Sequence, residues 1–328
     1  MSIVNHSNRE AVMRLLEGLT AVPAQVEMMV VVVLDNASDD GSADTIRRAF
    51  PSVEVIAQDH RAGFGANHNR VIAATRSRYV LVLNDDAEID AENVARLVRY
   101  MDVHSDVGAA GPRVVGPTGR HQQTAWRQPT PRAGLFFALT LGKRGWVQSR
   151  GSAPRDVERL SGVALLLRRT AVEEVGGFDE RFFMYAEDSD LSQRLAIAGH
   201  RLRYVPDATI VHHSQQSSSR VPERRLNEQW RSFHLYLAKH HGRLAGFVTR
   251  CLFATGFATK AIVARLLALA PTSSSERYRL LASEFAGDAA GALRGPSGPG
   301  LRELAADWNR RNAPPEPDAS SSRLARKA

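Results

Sequence analysis

Carboxylates are the residues most able to do chemistry in this chain, and they gather where apolar runs end. Asn84, Asp85 and Asp86 close the run VLVL. Grouped oxygen ligands of this kind suit a hard divalent ion, Mg²⁺ or Mn²⁺, which can also bridge to phosphates; a capped turn accounts for the same residues. The series Asp35-Asn36-Ala37-Ser38-Asp39-Asp40 follows VVVL and precedes Gly41. A carboxylate there can accept hydrogen bonds from a base or ribose, although an Asp/Asn/Ser turn with a helix cap has the same composition. In GGFDERFFMYAEDSDLSQRL, Glu187, Asp188 and Asp190 crowd the start of a helix, where the dipole favours ionised carboxylates. Asp190 and Arg194 are spaced to pair on one helix face, which leaves Asp188 the freer base; a purely electrostatic role at the helix start is the alternative. His212 and His213 follow a short strand, and one imidazole could complete a metal site begun by Asp86. An ordinary surface histidine is the other reading.

The run Gly63-Phe64-Gly65-Ala66-Asn67-His68-Asn69 has two glycines of a dinucleotide fingerprint. His68 stands where the third glycine belongs and the motif comes too late in the chain, so a nicotinamide site is excluded.

Short β-branched runs alternate with amphipathic segments over residues 1–111, which predicts βαβ units and a mostly parallel sheet with flanking helices. In such sheets ligands sit beyond the carboxyl ends of the strands, so the clusters after 28–34 and 79–83 face one crevice. Residues 112–154 are turn-rich, 160–168 read as one buried strand, a helix over 189–198 ends at Gly199, and 201–205 and 209–212 read as two short strands. After Pro222 the pattern is helical. Residues 244–270 are strongly apolar, but Arg250, Lys260 and Arg265 interrupt them, which argues against a bilayer-crossing helix. Their alternation with Leu, Phe and Val suits a helix lying in a membrane interface, or equally one packed on the protein itself. The stretch 295–328, rich in Gly, Pro, Ser and Arg, is expected to be disordered.

The chain has 328 residues, 43% of them hydrophobic and 24% charged, enough for one large α/β domain plus an extension. The single Cys251 excludes an intrachain disulfide and a multi-cysteine zinc site, in keeping with a reducing compartment. The opening MSIVNHSNRE has no basic leader before an apolar run, which predicts no secretory signal and a cytoplasmic protein. The net charge of +8 is unevenly placed: from residue 216 onward 18 Lys/Arg face 9 Asp/Glu, against 25 and 26 before it. Aromatic interleaving is thin there, so a nucleic-acid partner is not expected, and an anionic lipid surface explains the charges better.

Taken in order, DNASDDGS, GFGANHN, LNDDAEI, GGFDERFFMYAEDSDLSQRL and VPDATIVHHS resemble the family 2 inverting glycosyltransferases of GT-A fold, within them a rhamnosyltransferase-like branch. The resemblance runs from Ser2 to about Ser218. It implies a glycosyltransferase domain over 1–218; the rest reads as a helical extension over 219–294, open to membrane association, and the tail 295–328. Asp35 would bind the nucleobase, with Asn36, Ser38, Gly63, Gly65, Asn67, Asn84 and Asp85 around the nucleotide sugar. Asp86 would carry a divalent metal together with His212 or His213, and Asp188 would be the catalytic base, supported on the acceptor side by Glu187, Asp190 and Arg194. The family's Asp-x-Asp has Asn84 at its first position here, so metal affinity rests on Asp86. The implied reaction is an in-line displacement that moves a sugar, such as rhamnose from a thymidine diphosphate donor, to a hydroxyl of a lipid-linked or cell-envelope glycan. Residues 244–270 would let a cytoplasmic protein sit at the membrane face, and a second copy of the chain is an open partner. The rival is a non-catalytic nucleotide-sugar or glycan-binding protein on the same fold.

Overall fold

The computed structural model describes residues 1–20, 29–141, 146–213, 221–270 and 274–313. The first part alternates strand and helix: β1 (Ser2–Asn5), α1 (Arg9–Thr20), β2 (Val32–Asp35), α2 (Ser42–Ala49), β3 (Glu54–Ala57), α3 (Phe64–Ala74) and β4 (Tyr79–Asn84). Then follow β5 (Ala87–Glu88), α4 (Ala91–Val103), β6 (Val107–Val115), β7 (His121–Gln122), β8 (Ala125–Trp126), α5 (Pro131–Thr140), β9 (Arg155–Asp156), β10 (Arg159–Leu160), β11 (Ala164–Arg168), α6 (Arg169–Glu174), α7 (Glu187–Ile197) and β12 (Arg201–His212). Three helices come last: α8 (Pro222–Leu267), α9 (Ser275–Arg294) and α10 (Leu301–Asn312).

The main sheet runs β3-β2-β1-β4-β11-β6-β12-β5. Strands β3, β2, β1, β4, β6 and β12 point one way, and β11 and β5 the other. Its central strands are apolar on both faces because side chains alternate and both faces are covered. Leu81 and Leu83 of β4, with Ala164 and Leu166 of β11, pack with α1 and α4 through Val12, Leu16, Leu97 and Met101. Val80, Val82, Leu165 and Leu167 face the other way, onto Val172 of α6 and Leu191 and Leu195 of α7.

Three sequence expectations change. Residues 160–168 form not one strand but two, because Ser161-Gly162-Val163 steps from the small β8–β10 ribbon into the main sheet. Residues 201–212 are a single strand, which absorbs an irregularity between Val205 and Thr209 as a register shift against β6. The stretch from 295 holds α10, where disorder was expected: Leu301 and Ala305 are buried, Glu303 accepts from the Gly300 amide at 2.6 Å, and Asn309 exchanges hydrogen bonds with the Arg61 backbone at 2.7 and 3.0 Å. Residues 314–328 lie outside the described residues.

The helical extension is fastened to the sheet domain by polar contacts. Ser232 donates to the Met184 carbonyl at 2.8 Å, and the Tyr236 hydroxyl to Gln128 Oε1 at 2.9 Å. Helix α8 breaks direction at Gly242, whose φ of 70° and ψ of −176° are glycine territory. Beyond it lies the one stretch among the described residues long and apolar enough to cross a bilayer by composition. That segment packs with α5 and α9 through Phe137, Phe253, Ala254 and Ala292, while Leu244, Phe247, Val248, Ile262, Val263 and Leu266 stay exposed.

Candidate active site

A cavity of about 1000 Å³ opens beyond the carboxyl ends of β1, β2 and β4 and continues under α8 and α10. One wall is the 84–86 segment. Strand β4 delivers Asn84, Asp85 and Asp86 to this wall, all three bordering the space. Asp85 is pushed up to about 7 by burial and by the Asp86 carboxylate beside it.

The histidine doublet is resolved by strand register. His212 is paired with Ala87 across β5, one residue past Asp86, and its Nε2 lies 3.1 Å from Asp86 Oδ1. His213 projects the opposite way, its Nε2 2.7 Å from Glu88 Oε1, and does not border the cavity. Gln122 of β7 sets the His212 ring: its Nε2 donates to the His212 carbonyl at 2.8 Å, so its Oε1 accepts from Nδ1–H at 2.8 Å. With Nδ1 engaged by Gln122, Nε2 is the ring nitrogen that faces Asp86. Two acceptors at that distance hold a proton or a cation between them, and a carboxylate plus an imidazole steadied through its other nitrogen suits Mn²⁺ or Mg²⁺. Among the described residues no third His, Cys, Asp or Glu joins them, so such an ion would draw its other ligands from water and substrate oxygens.

The opposite wall carries Glu187, Asp188 and Ser189 at the start of α7. The approach is strained, with Tyr185 at φ 67° and Ala186 at φ 62°, both left-handed and neither glycine. That turn aims Asp188 at Gly162, whose amide donates to Oδ2 at 3.1 Å, while Ser189 donates to Oδ1 through its amide at 2.6 Å and its hydroxyl at 3.1 Å. The next residue, Val163, accepts from the Asn84 amide at 3.0 Å, so one short segment ties the Asp188 wall to the Asp86 wall. Glu187 is buried with Oε2 unpartnered, and burial together with the Asp188 charge holds its carboxyl well above the usual range. Asp190 and Arg194 do not border the cavity. Arg194 Nε meets Asp190 at 2.7 Å, and His240 and Lys239 of α8 reach the same carboxylate at 2.7 and 2.5 Å, so this pair clamps α8 to α7.

At the β1–β2 end the first cluster divides. Asn36 and Asn67 border the cavity, joined through Gln58 Nε2 at 2.6 and 2.9 Å. Asp35 and Ser38 turn inward: Asp35 accepts from the Asn5 side chain at 3.0 Å and the Ser38 amide at 2.9 Å, and Ser38 Oγ accepts from the Ser7 amide at 2.9 Å. The residues that reach the space here are His6, Ser7, Asp39 and Arg61. Gly63 and Gly65 do not border it either; a Cβ would come within 2.5 Å of the Phe183 carbonyl at Gly63 and 2.8 Å of Phe178 Cβ at Gly65. Both glycines allow close packing of α3 on the 178–183 segment.

Sequence reading missed Gln122, Arg159, Gly162, Trp126 and Trp146, which all line the cavity or, for Gln122, also orient His212. Only Gly162 carried a local signal, a glycine inside an apparent strand, which marks a break or close backbone approach.

A family model described as "Glycosyltransferase like family 2" matches residues 2–231. The chain is 32% identical to the N-acetylglucosaminyl-diphospho-decaprenol L-rhamnosyltransferase of Mycobacterium tuberculosis, over 64% of this chain and 75% of that one. It is 25% identical to the rhamnosyltransferase WbbL of Escherichia coli, over 72% and 91%. Among solved structures, a mannosyltransferase of Pyrobaculum calidifontis in complex with GDP-Man and Mn²⁺ superposes with a TM-score of 0.60 at 18% identity, covering 89% of this chain and 86% of that one. GalNAc-T7 with UDP, GalNAc and Mn²⁺ does so with a TM-score of 0.53 at 15% identity, covering 95% and 57%. The fold is accordingly of GT-A type, and the chain belongs to glycosyltransferase family 2.

Proposed function

We propose that this protein transfers a deoxysugar such as rhamnose from a thymidine diphosphate donor to a hydroxyl of a lipid-linked cell-envelope glycan, with inversion at the anomeric carbon. The observation that carries it is that Asp86 with His212 and, across the same cavity, Asp188 open onto one space. The relatives named as rhamnosyltransferases support the sugar, and the "diphospho-decaprenol" in the first relative's name supports a lipid-linked acceptor.

In this reading the nucleotide lies along Asn36, Asp39, Arg61 and Asn67, below the β1 and β2 ends. Asp86 and His212 would hold a divalent cation, which when bound supplies countercharge to the departing diphosphate. Asp188 accepts the acceptor hydroxyl's proton as that oxygen attacks the anomeric carbon; the C–O bond to the diphosphate breaks on the opposite face, and a single displacement inverts the centre. The Gly162 and Ser189 donors orient the carboxylate for that attack. Burial and the neighbouring Asp188 raise the proton affinity of Glu187 beside it.

The extension positions the enzyme against its acceptor's membrane. The exposed apolar stripe of α8 after Gly242, with exposed Arg243 and Arg265, lies on the anionic cytoplasmic leaflet in this reading.

The test is Asp188→Asn, assayed by mass spectrometry for glycan product and by calorimetry for dTDP uptake with Mn²⁺. Transfer should fall about 10²–10⁴-fold while nucleotide binding persists. An Asp188→Asn protein that still turns over at the parent rate removes the base from the mechanism.

A further inference from the structure

Past Asp188 the cavity continues into an arm bordered by Trp126, Trp146, Phe233, Phe253 and Phe257. Their rings are continuous: Trp146 to Phe253 is 5.2 Å between centroids and Phe253 to Phe233 is 5.7 Å. Arg159 stands at the neck. It is the cross-strand neighbour of Trp126, and its guanidinium carbon lies 5.1 Å from the Trp126 ring centre and 5.4 Å from that of Trp146. Nη1 donates to the hydroxyl of Ser189, next to Asp188, at 3.0 Å.

The charge on this arginine is met by no close counterion among the described residues. Among the described residues it forms no ion pair; the neighbouring carboxylate Glu158 is taken by Arg127 at 2.7 Å. Its Nε is buried without a hydrogen-bond partner. Burial lowers its affinity for its proton, with Asp188 working the other way, yet a guanidinium stays charged throughout the neutral range. A half-buried cation with an unused donor favours a ligand that brings an anion. The residues that border the arm beyond it are aromatic, so a ligand held at Arg159 would become apolar immediately after its anionic group.

We propose that Arg159, between Trp126 and Trp146, binds the diphosphate of a polyisoprenoid-linked acceptor, and that the aromatic arm receives the first isoprene units. This rests on the transferase reading and adds to it the place and chemistry of acceptor recognition. The order along the cavity is then donor nucleotide, Asp86 and His212, Asp188 at the acceptor sugar, Arg159 at the diphosphate, and the aromatic arm at the lipid. The exposed apolar stripe of α8 continues the helix that supplies Phe233, Phe253 and Phe257, which brings the lipid end toward a bilayer.

The experiment uses the full chain, with farnesyl diphosphate as probe and tryptophan fluorescence and calorimetry as readouts. Saturable binding is expected, at least tenfold tighter than that of farnesol or of inorganic pyrophosphate, and unaffected by saturating dTDP and Mn²⁺. Arg159→Gln should weaken it at least tenfold, Arg159→Lys less, and Phe253→Leu with Trp146→Leu should weaken farnesyl diphosphate while sparing pyrophosphate. Melting curves identify any variant that fails to fold, and the ring variants then carry the test. Absence of farnesyl diphosphate binding to the parent protein, equal binding by Arg159→Gln, or displacement by dTDP overturns the proposal, the last by assigning Arg159 to the donor. Uptake of dTDP with Mn²⁺, titrated separately, tests the transferase reading by itself.

Discussion

Adjacent carboxyls at the start of α7 sit in different surroundings. Asp188 is met by three donors, whereas Glu187 is buried with one oxygen unpartnered, which raises its proton affinity. An unfolded chain releases the Glu187 proton near the ordinary 4.5 and the folded protein holds it higher, so stability falls as pH rises from 4.5 until Glu187 itself ionises. Glu187→Gln should flatten that slope in melting curves taken from pH 4 to 8, and should cost less transfer than Asp188→Asn. A steeper slope in the variant would show that Glu187 is ionised in the native state. That Asp190 is taken up by Arg194, leaving Asp188 the freer base, was legible from the helix pattern. That Glu187 is buried was not, because burial depends on α8 and the 159–163 segment, far away in sequence.

At the scale of the element, the left-handed pair Tyr185-Ala186 decides where α7 begins and therefore where Asp188 points. A β-branched residue tolerates a positive φ poorly and glycine accepts it. Ala186→Val should lose about 1–2 kcal/mol of stability and lower turnover, while Ala186→Gly should keep its melting temperature close to the parent's. Chemical denaturation with a transfer assay checks both, and a Val variant as stable as the parent would mean that the turn relaxes freely. Two such non-glycine residues in the left-handed region left no mark in the sequence, since nothing about Tyr or Ala announces a positive φ. Strand register is the same kind of case: His212 and His213 are equivalent on paper, and a one-residue difference across β5 sends one into the cavity and the other to Glu88.

Over the whole molecule, α8 joins three functions: it closes the cavity, clamps α7 through Asp190, and exposes an apolar stripe beyond Gly242. Sedimentation with vesicles containing anionic lipid should pull the protein down at low salt, less at high salt, and weakly with neutral lipid. Phe247→Asp with Leu266→Asp, each side chain worth about 1.5–3 kcal/mol when buried, should reduce binding at least tenfold. Equal sedimentation of parent and variant would mean that the stripe faces something other than lipid. Helix α10 extends the same closure to the β1–β2 end of the cavity, where Arg61 lies 4.2 Å from the Trp308 ring centre.

The sequence by itself determined the alternating strands and helices, the βαβ frame, and the placing of the polar clusters at strand ends, because hydrophobic periodicity and turn chemistry are local properties. It also carried the family. Only the tertiary structure decided that Asp35, Ser38, Gly63 and Gly65 stand outside the cavity lining, that His212 meets Asp86, that 301–312 is a docked helix, and that Arg159 lies between two indoles. Each of those depends on what a side chain meets across the fold, and a residue's type and spacing do not record its distant neighbours.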